Sequence, residues 1–206
     1  MKRGVIYLGL LILLLWAGSG WSAPEDDPVA LVKATSEQML KVLRKRRAQL
    51  EDEPELIYEL VEQIALPHFD FTRMSRWVLG RYWRKATPEQ RRRFEKEFRT
   101  LLVKTYATSL LEFVDDEFRY PPQRLDQKSR KVTVRTEVLR GGGAPVRIEY
   151  RMFKGKEGWK AYDVLVEGVS LVANYRSSFA DEIRQKGLDG LITRLARHNN
   201  NRVDGS

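Results

Sequence analysis

Few residues in this chain could support acid–base or nucleophilic catalysis. The sequence has two histidines, His68 and His198, and no cysteine. Asp70 follows His68 closely enough to act with it as an acid–base pair, but no spacing in the chain indicates a catalytic triad. Because His68 comes directly after Pro67, a helix-end or surface position is the simpler interpretation. An exported enzyme on an α+β scaffold that uses His68 and Asp70 is the alternative prediction.

Metal and phosphate chemistry have no support in the sequence motifs. The chain contains no HExxH motif, no cysteine pair and no acidic calcium-binding loop. The glycines at 141–143 do not lie between a strand and a helix, as a phosphate-binding loop requires, so they predict a turn. We therefore expect no catalytic residues, no metal and no cofactor.

The first residues have the pattern of a secretory signal. Lys2 and Arg3 precede an apolar run at 5–16 that is too short for an ordinary membrane span, and small residues follow it. The predicted organisation is a cleaved signal peptide at 1–22, one domain at 23–197 and a flexible tail at 198–206. A protein exported to the periplasm is therefore expected, and an uncleaved N-terminal anchor is the alternative.

The chain is basic, with a net charge of +9. Such an excess is typical of proteins that meet nucleic acid, anionic lipid or an acidic protein face. An export signal argues against nucleic acid, and Arg-rich helices can also carry charge only to keep the surface soluble. We expect no nucleic acid partner; a basic nucleic-acid-associated protein would require a cytoplasmic location.

Capping motifs and apolar stripes predict several helices. Thr87 and Gln90 have the spacing of a capping box, and the apolar residues after them fall on one helical face. Residues 68–83 are rich in large apolar groups. The predicted helices lie at about 27–50, 53–67, 88–113, 171–183 and 188–197, with short helices on either side of Gly80.

From 116 to 166 the apolar pattern alternates, which predicts strands. The alternating segments are 118–120, 132–138, 146–152 and 162–166, separated by glycine-rich turns. Helices followed by strands and then by helices are typical of an α+β fold. We predict a single α+β domain in which several helices wrap a curved antiparallel sheet of about four strands.

Four apolar surfaces of this predicted fold need burial. They are the aromatic cluster at 69–83, the helical stripe at 94–113, one sheet face and the helical face at 171–183. Pattern alone favours packing of these surfaces on one another as an ordinary close-packed core. A cavity is the alternative, because the same side chains can pack on an apolar ligand.

The segment 158–183 carries a resemblance to a known family. In it a strand passes through one glycine directly into a helix. The matching residues are Gly158-Trp159-Lys160, Tyr162-Asp163-Val164, Val166 to Leu171, Asn174 to Ser177 and Phe179, with Tyr82-Trp83, Ala86 to Gln90, Phe94 and Phe98 upstream and Gly187 to Ile192 downstream. On these residues the chain resembles the MlaC, or toluene-tolerance, family of periplasmic phospholipid-binding proteins of the Mla lipid-transport system. The resemblance extends over nearly all of the predicted mature chain.

The resemblance implies a function and a set of partners. It implies a deep cavity between the helices and the curved sheet, which holds phospholipid acyl chains with the headgroup towards solvent. A monomeric carrier of this kind would exchange glycerophospholipid with an inner-membrane ABC transporter that bears an MCE-domain ring and with an outer-membrane lipoprotein–porin complex. The phospholipid is cargo rather than a cofactor, and its transport would maintain the lipid asymmetry of the outer membrane.

The helical and strand faces of this sequence then suggest which side chains line the cavity. The expected lining residues are Phe71, Trp77, Val78, Tyr82, Phe98, Leu102, Tyr106, Val134, Val138, Ile148, Tyr150, Val164, Val166, Leu171, Tyr175 and Phe179. Arg73, Arg76 and Arg176 are the candidates for attracting the phosphate of the headgroup, and Arg176 could equally form a structural ion pair.

Overall fold

The computed structural model of the protein describes residues 27–126 and 128–201. Within these residues, seven α-helices pack against an antiparallel sheet of five strands. The predicted single α+β domain with a curved sheet is confirmed. The sheet has one strand more than expected, because a strand of two residues precedes the last helix. The predicted signal peptide and the last residues of the predicted tail lie outside the described part of the chain.

The first elements are helices. They are α1 at Pro28–Lys45, α2 at Arg47–Asp52 and α3 at Leu56–Ile64, followed by a 3₁₀ turn at Leu66–His68. Asp27 caps α1, since its carboxylate accepts a hydrogen bond from the Val29 amide at 2.9 Å. A single helix to about Leu50 is the wrong prediction, because Arg46 leaves the helical region (φ −105°, ψ 16°) and divides it in two.

Three further helices lead to the sheet. They are α4 at Phe71–Leu79, α5 at Arg81–Lys85 and α6 at Pro88–Tyr106. The capping box is confirmed: Thr87 Oγ1 accepts from the Gln90 amide at 3.1 Å, and Gln90 Oε1 accepts from the Thr87 amide at 3.0 Å. The predicted stripe to Phe113 is not one α-helix, because the chain tightens after Tyr106 into a 3₁₀ turn at Thr108–Phe113.

The sheet is a meander in which each strand pairs with the next. Its strands are β1 at Glu117–Arg119, β2 at Lys131–Leu139, β3 at Val146–Gly155, β4 at Gly158–Val166 and β5 at Val169–Ser170. A bulge interrupts the β3–β4 pairing, since Arg151 lies opposite Asp163 whereas Met152 lies opposite Ala161. Simple alternation predicts that Tyr162 and Val164 share a face of the sheet. Because Tyr162 is the extra residue of the bulge, it faces the other side, where its ring stacks on Trp77 of α4.

The last helix, α7, spans Leu171–Asn201 and begins directly after β5. Gly187 is not helical (φ 71°, ψ 173°), so α7 consists of two segments, as the sequence predicts. The second segment continues past His198, where we expected the flexible tail to begin. Asn199 is buried and donates hydrogen bonds to the backbone oxygen of Glu97 at 3.0 Å and to its Oε2 at 2.8 Å. These bonds hold the end of α7 against α6.

The buried apolar residues form separate clusters on the two sides of the sheet. On one side α4, α6 and α7 pack together: Phe94 and Phe98 stack at 5.6 Å, and Phe179 meets their edges at 6.0 and 6.1 Å. On the other side Val32 of α1 packs in a cluster with Val134 of β2. Space remains between the second side of the sheet and the helices that surround it.

Candidate functional site

A cavity of about 350 Å³ lies between the sheet and the helices. Its walls are α1, the segment from α3 to α4, the C-terminal end of α6 with the following 3₁₀ turn, and the face of β3 and β4 that carries Ile148, Tyr150 and Val164. Leu171, the first residue of α7, completes the lining. The volume is within the range of about 300–1,000 Å³ that is usual for ligand pockets.

The lining of the cavity is almost entirely apolar. None of the described residues that line it is an Asp, Glu, Lys or Arg. Its polar members are Thr35, Ser36, His68, Tyr106, Ser109 and Tyr150. Met39, Met74 and Met152 also line it, and their flexible thioethers can adapt to an irregular ligand. Because a charged group buried here would have no opposite charge, the cavity fits a hydrocarbon chain and excludes an ionic ligand.

Tyr150 shows how low the polarity inside the cavity is. Burial raises the pKa of its phenol to about 12, and the nearby hydroxyls of Thr136 and Ser36 offset only part of that shift. The phenol is therefore neutral at any physiological pH. Its ring provides apolar area, and its hydroxyl provides one hydrogen-bonding group on an otherwise apolar wall.

Two exposed apolar residues mark the opening of the cavity. Tyr106, the last residue of α6, is 38% exposed, and Val166, the last residue of β4, is 40% exposed, although both line the cavity. Phe113 also lines the cavity, and the Arg140 guanidinium lies 4.6 Å from the centre of its ring and pairs with the carboxylates of Glu112 and Asp116. The cation next to this part of the lining is therefore already paired.

The structure brings half of the expected lining residues together in this cavity. They are Phe71, Leu102, Tyr106, Ile148, Tyr150, Val164, Val166 and Leu171. Phe98 and Leu102 on α6 belong to the same buried cluster, but only Leu102, one turn later, also lines the cavity.

The other expected lining residues lie elsewhere. Val78, Tyr82, Phe98, Tyr175 and Phe179 pack in the cluster formed by α4, α6 and α7. Trp77 is 48% exposed and its ring stacks on Tyr162 at 6.3 Å. Val134 and Val138 face the same side as the cavity, because they lie opposite Tyr150 and Val146, but they are completely buried by their neighbours.

None of the three arginines expected at the headgroup lines the apolar cavity. Arg73 pairs with Asp70 at 3.1 Å, and its guanidinium lies 3.6 Å from the centre of the Phe153 ring. Arg176 lies against Gly80, whose position would put an added Cβ 3.3 Å from the guanidinium. Arg76 is exposed on α4. Arg73 therefore lies between α4 and β3, Arg76 and Arg176 lie on helices, and none of the three lines the cavity.

The geometry gives the alternative enzyme no assembled site. His68 lines the cavity, whereas Asp70 caps α4 by accepting from the Arg73 amide at 2.8 Å. Asp70 and Arg73 line a separate polar cleft, where Lys160 and Glu157 form a second ion pair. Across the described ranges, no three His, Cys, Asp or Glu side chains are grouped as a metal site. Among the same residues, no helix is both long and apolar enough to span a membrane.

Sequence reasoning missed one wall of the cavity. Helix α1 contributes Leu31, Val32, Thr35, Ser36, Met39, Leu40 and Leu43. The apolar positions of α1 are visible in the sequence as a helical stripe, so burial of this face could be predicted. Its contact with the cavity could not, because that contact depends on the sheet lying opposite α1, about a hundred residues later in the chain.

Two known proteins are similar to this chain in sequence over most of its length. The chain is 28% identical over 186 residues to the toluene tolerance protein ttg2D of Pseudomonas putida, covering 90% of this chain and 86% of that protein. It is 22% identical over 174 residues to the intermembrane phospholipid transport system binding protein MlaC of Haemophilus influenzae, covering 83% and 81% of the two chains.

A solved structure shows the same fold. It is the phospholipid-binding protein of Ralstonia solanacearum, determined in complex with a phospholipid, with a TM-score of 0.76 and 32% sequence identity. The match covers 84% of this chain and 96% of that one. The profile of the MlaC protein family matches residues 33–197 of the chain, from α1 to the last turns of α7. The chain therefore belongs to the MlaC family.

Proposed function

We propose that this protein is a periplasmic carrier that holds the acyl chains of a phospholipid in its apolar cavity and moves glycerophospholipid between the outer and inner membranes. The observation that carries the proposal is the uncharged cavity of about 350 Å³ between α1 and the sheet. This chain belongs to the MlaC family, and its structure is similar to that of the phospholipid-bound Ralstonia solanacearum protein. The proposed acyl-chain contacts are the eight expected residues that line the cavity, together with the cavity-lining residues of α1.

The physical role of the cavity is to replace the bilayer interior around the acyl chains. Exposing one chain of about 16 carbons to water costs roughly 12 kcal/mol, at about 0.8 kcal/mol per methylene. An acyl chain avoids this cost both in the bilayer and in the cavity, so its free energy is similar in the two places. The carrier can then load and unload in either direction, and the direction of net transport must be set by other proteins.

The partners that would set this direction are an inner-membrane ABC transporter with an MCE-domain ring and an outer-membrane lipoprotein–porin complex. The sequence contains no nucleotide-binding motif, so the carrier does not supply the energy itself. Removal of a signal peptide at 1–22 would release residues 23–206 into the periplasm as a monomer. The family relationship and the lack of charge in the cavity support a carrier without cofactor or catalysis.

A lipid-transfer assay tests the proposal. Residues 23–206 are mixed with donor vesicles that contain a self-quenched fluorescent phospholipid and with unlabelled acceptor vesicles, and the rate of dequenching is measured. The wild-type protein should accelerate transfer at substoichiometric concentrations. Val164→Trp should reduce this rate severalfold, because the indole enters the cavity from β4.

The matched control is Val169→Trp, which makes the same substitution at a position that is 62% exposed and outside the cavity. It should transfer lipid at the wild-type rate. A wild-type protein that does not accelerate transfer, or equal transfer by the two folded variants, would contradict the proposal.

A further inference from the structure

The positive charge of the exported chain is concentrated in one segment. Residues 73–93 contain eight arginines and lysines and a single acid, Glu89, so the segment has a net charge of +7. Residues 1–22 contribute +2 of the +9 of the whole chain, and all other residues together therefore sum to zero. The segment comprises most of α4, all of α5 and the first turns of α6.

The cations at the centre of this segment are exposed and available. Arg81, Arg84 and Lys85 of α5 are all exposed, and within the described residues none of them forms an ion pair. The one acid of the segment, Glu89, already pairs with Arg92. Unpaired exposed cations at this density create a positive potential that attracts an anionic surface.

Large aromatic rings lie among these cations. Trp77 is 48% exposed at the end of α4. The Arg81 guanidinium lies 5.0 Å from the centre of the Tyr82 ring, and the Arg91 guanidinium lies 5.1 Å from the centre of the Trp83 ring. Tryptophan and tyrosine beside arginine and lysine are the composition of protein surfaces that lie at the headgroup level of a bilayer.

We propose that this basic surface, formed by Trp77, Arg81, Arg84, Lys85 and Arg91, binds the headgroup region of an anionic phospholipid bilayer. An acidic protein face would also match the charge. A stable protein interface needs an apolar core, however, and Trp77 is the single large hydrophobic residue of the segment that is exposed among the described residues. Attraction to anionic lipids requires only clustered cations near the membrane surface, which α5 provides.

The location of the basic surface indicates what such binding would do. Pro88 and Tyr106 are the ends of α6, and at about 1.5 Å per residue they are roughly 27 Å apart. The basic surface lies at the Pro88 end and the opening of the cavity at the Tyr106 end. A molecule that is held on a bilayer by α5 therefore keeps its opening away from the contact, free to exchange lipid with another protein near the membrane.

Vesicle co-sedimentation tests this proposal. Residues 23–206 are incubated with vesicles of phosphatidylcholine alone or of phosphatidylcholine with phosphatidylglycerol, and the bound fraction is measured. Binding is expected only with phosphatidylglycerol, and it should weaken strongly from about 0.1 M to about 1 M salt, as the screening length falls from ~10 to ~3 Å. The variant R81E/R84E/K85E should bind at least roughly tenfold more weakly, because three lipid-facing cations are reversed.

The control variant K41E/K45E/K128E changes the net charge equally at exposed lysines outside the segment and should retain most of the binding. Absence of wild-type binding to the anionic vesicles overturns the proposal and leaves an acidic protein as the partner that the charge fits. Equal losses in the two folded variants overturn it as well, because net charge alone would then explain the attraction. None of the three α5 residues lines the cavity, so a lipid-free protein that still binds vesicles would contradict the proposed function and not this inference.

Discussion

Asp163 should be the most important polar side chain for the stability of the junction between the sheet and α7. Its carboxylate is 3% exposed and accepts three hydrogen bonds: from the Ser170 hydroxyl at 2.7 Å, the Val172 amide at 3.1 Å and the Arg151 guanidinium at 3.1 Å. These bonds connect β3, β4 and β5 to the first turn of α7. They therefore fix Leu171, whose side chain lines the cavity.

The cost of Asp163→Ala follows from the groups that it leaves without a partner. The Ser170 hydroxyl and the Val172 amide would each lose a buried acceptor, at about 1–3 kcal/mol per group. The Arg151 side chain is 45% exposed, so water can replace the carboxylate there and its share is at most about 1 kcal/mol. We expect a total loss of roughly 3–5 kcal/mol from these three groups together.

Urea unfolding of the delipidated protein, followed by circular dichroism, measures this loss without the stabilisation that bound lipid adds. Asp163→Asn keeps one acceptor oxygen and should cost about 1–2 kcal/mol. If Asp163→Ala unfolds within about 1 kcal/mol of the wild type, or if Asp163→Asn costs as much as Asp163→Ala, the junction does not depend on these bonds and the reasoning is refuted.

Three other substitutions test separate parts of the structure. Above pH 10 the phenol of Tyr150 ionises in the unfolded chain but stays protonated in the folded protein, so the wild type should lose roughly 2–3 kcal/mol of unfolding free energy between about pH 10 and pH 12. In urea unfolding at alkaline pH, Tyr150→Phe should lose distinctly less stability over this range. Gly80→Ala should lower the unfolding free energy by about 1–3 kcal/mol, because φ is +52° and the added Cβ meets Arg176; an unchanged urea midpoint would contradict this. Asn199→Ala should cost about 1–2 kcal/mol through its lost bonds to α6, whereas Asn200→Ala, at an exposed position, should have no measurable effect.

The sequence predicts the elements of this fold well where local chemistry decides them. Thr87 caps α6 in the structure as its capping-box spacing predicts, because an N-cap depends on residues within one turn. The apolar stripe of α6 and the alternation in β2 and β3 identify the buried faces correctly. The α+β class follows from the order of these elements.

Features that depend on partners distant in sequence could not be predicted in this way. The bulge at Tyr162 reverses the faces of the residues before it and sends that ring to Trp77, a change that appears only when β3 and β4 are paired. The continuation of α7 past His198 depends on Asn199 finding Glu97 on another helix. A polar C-terminal segment does not show such a contact.

The division between core and cavity is the largest gap between sequence and structure. Phe98 and Leu102 belong to one stripe on α6 and to one buried cluster, yet only Leu102 also lines the cavity. Both positions satisfy the same apolar pattern, because periodicity records which side of a helix avoids water and not what fills the space next to it. Only the arrangement of α1 against the sheet distinguishes them.

Analysis of the lipid that co-purifies with the protein tests the central claim most directly. Residues 23–206 and the Val164→Trp variant are purified without detergent and extracted with organic solvent, and the extracts are quantified by mass spectrometry. We expect a phospholipid in equimolar amount from the wild type and much less from the variant, because the added indole occupies the cavity. A lipid-free wild type that also takes up no phospholipid from vesicles, or a folded variant with the full lipid load, would contradict the account.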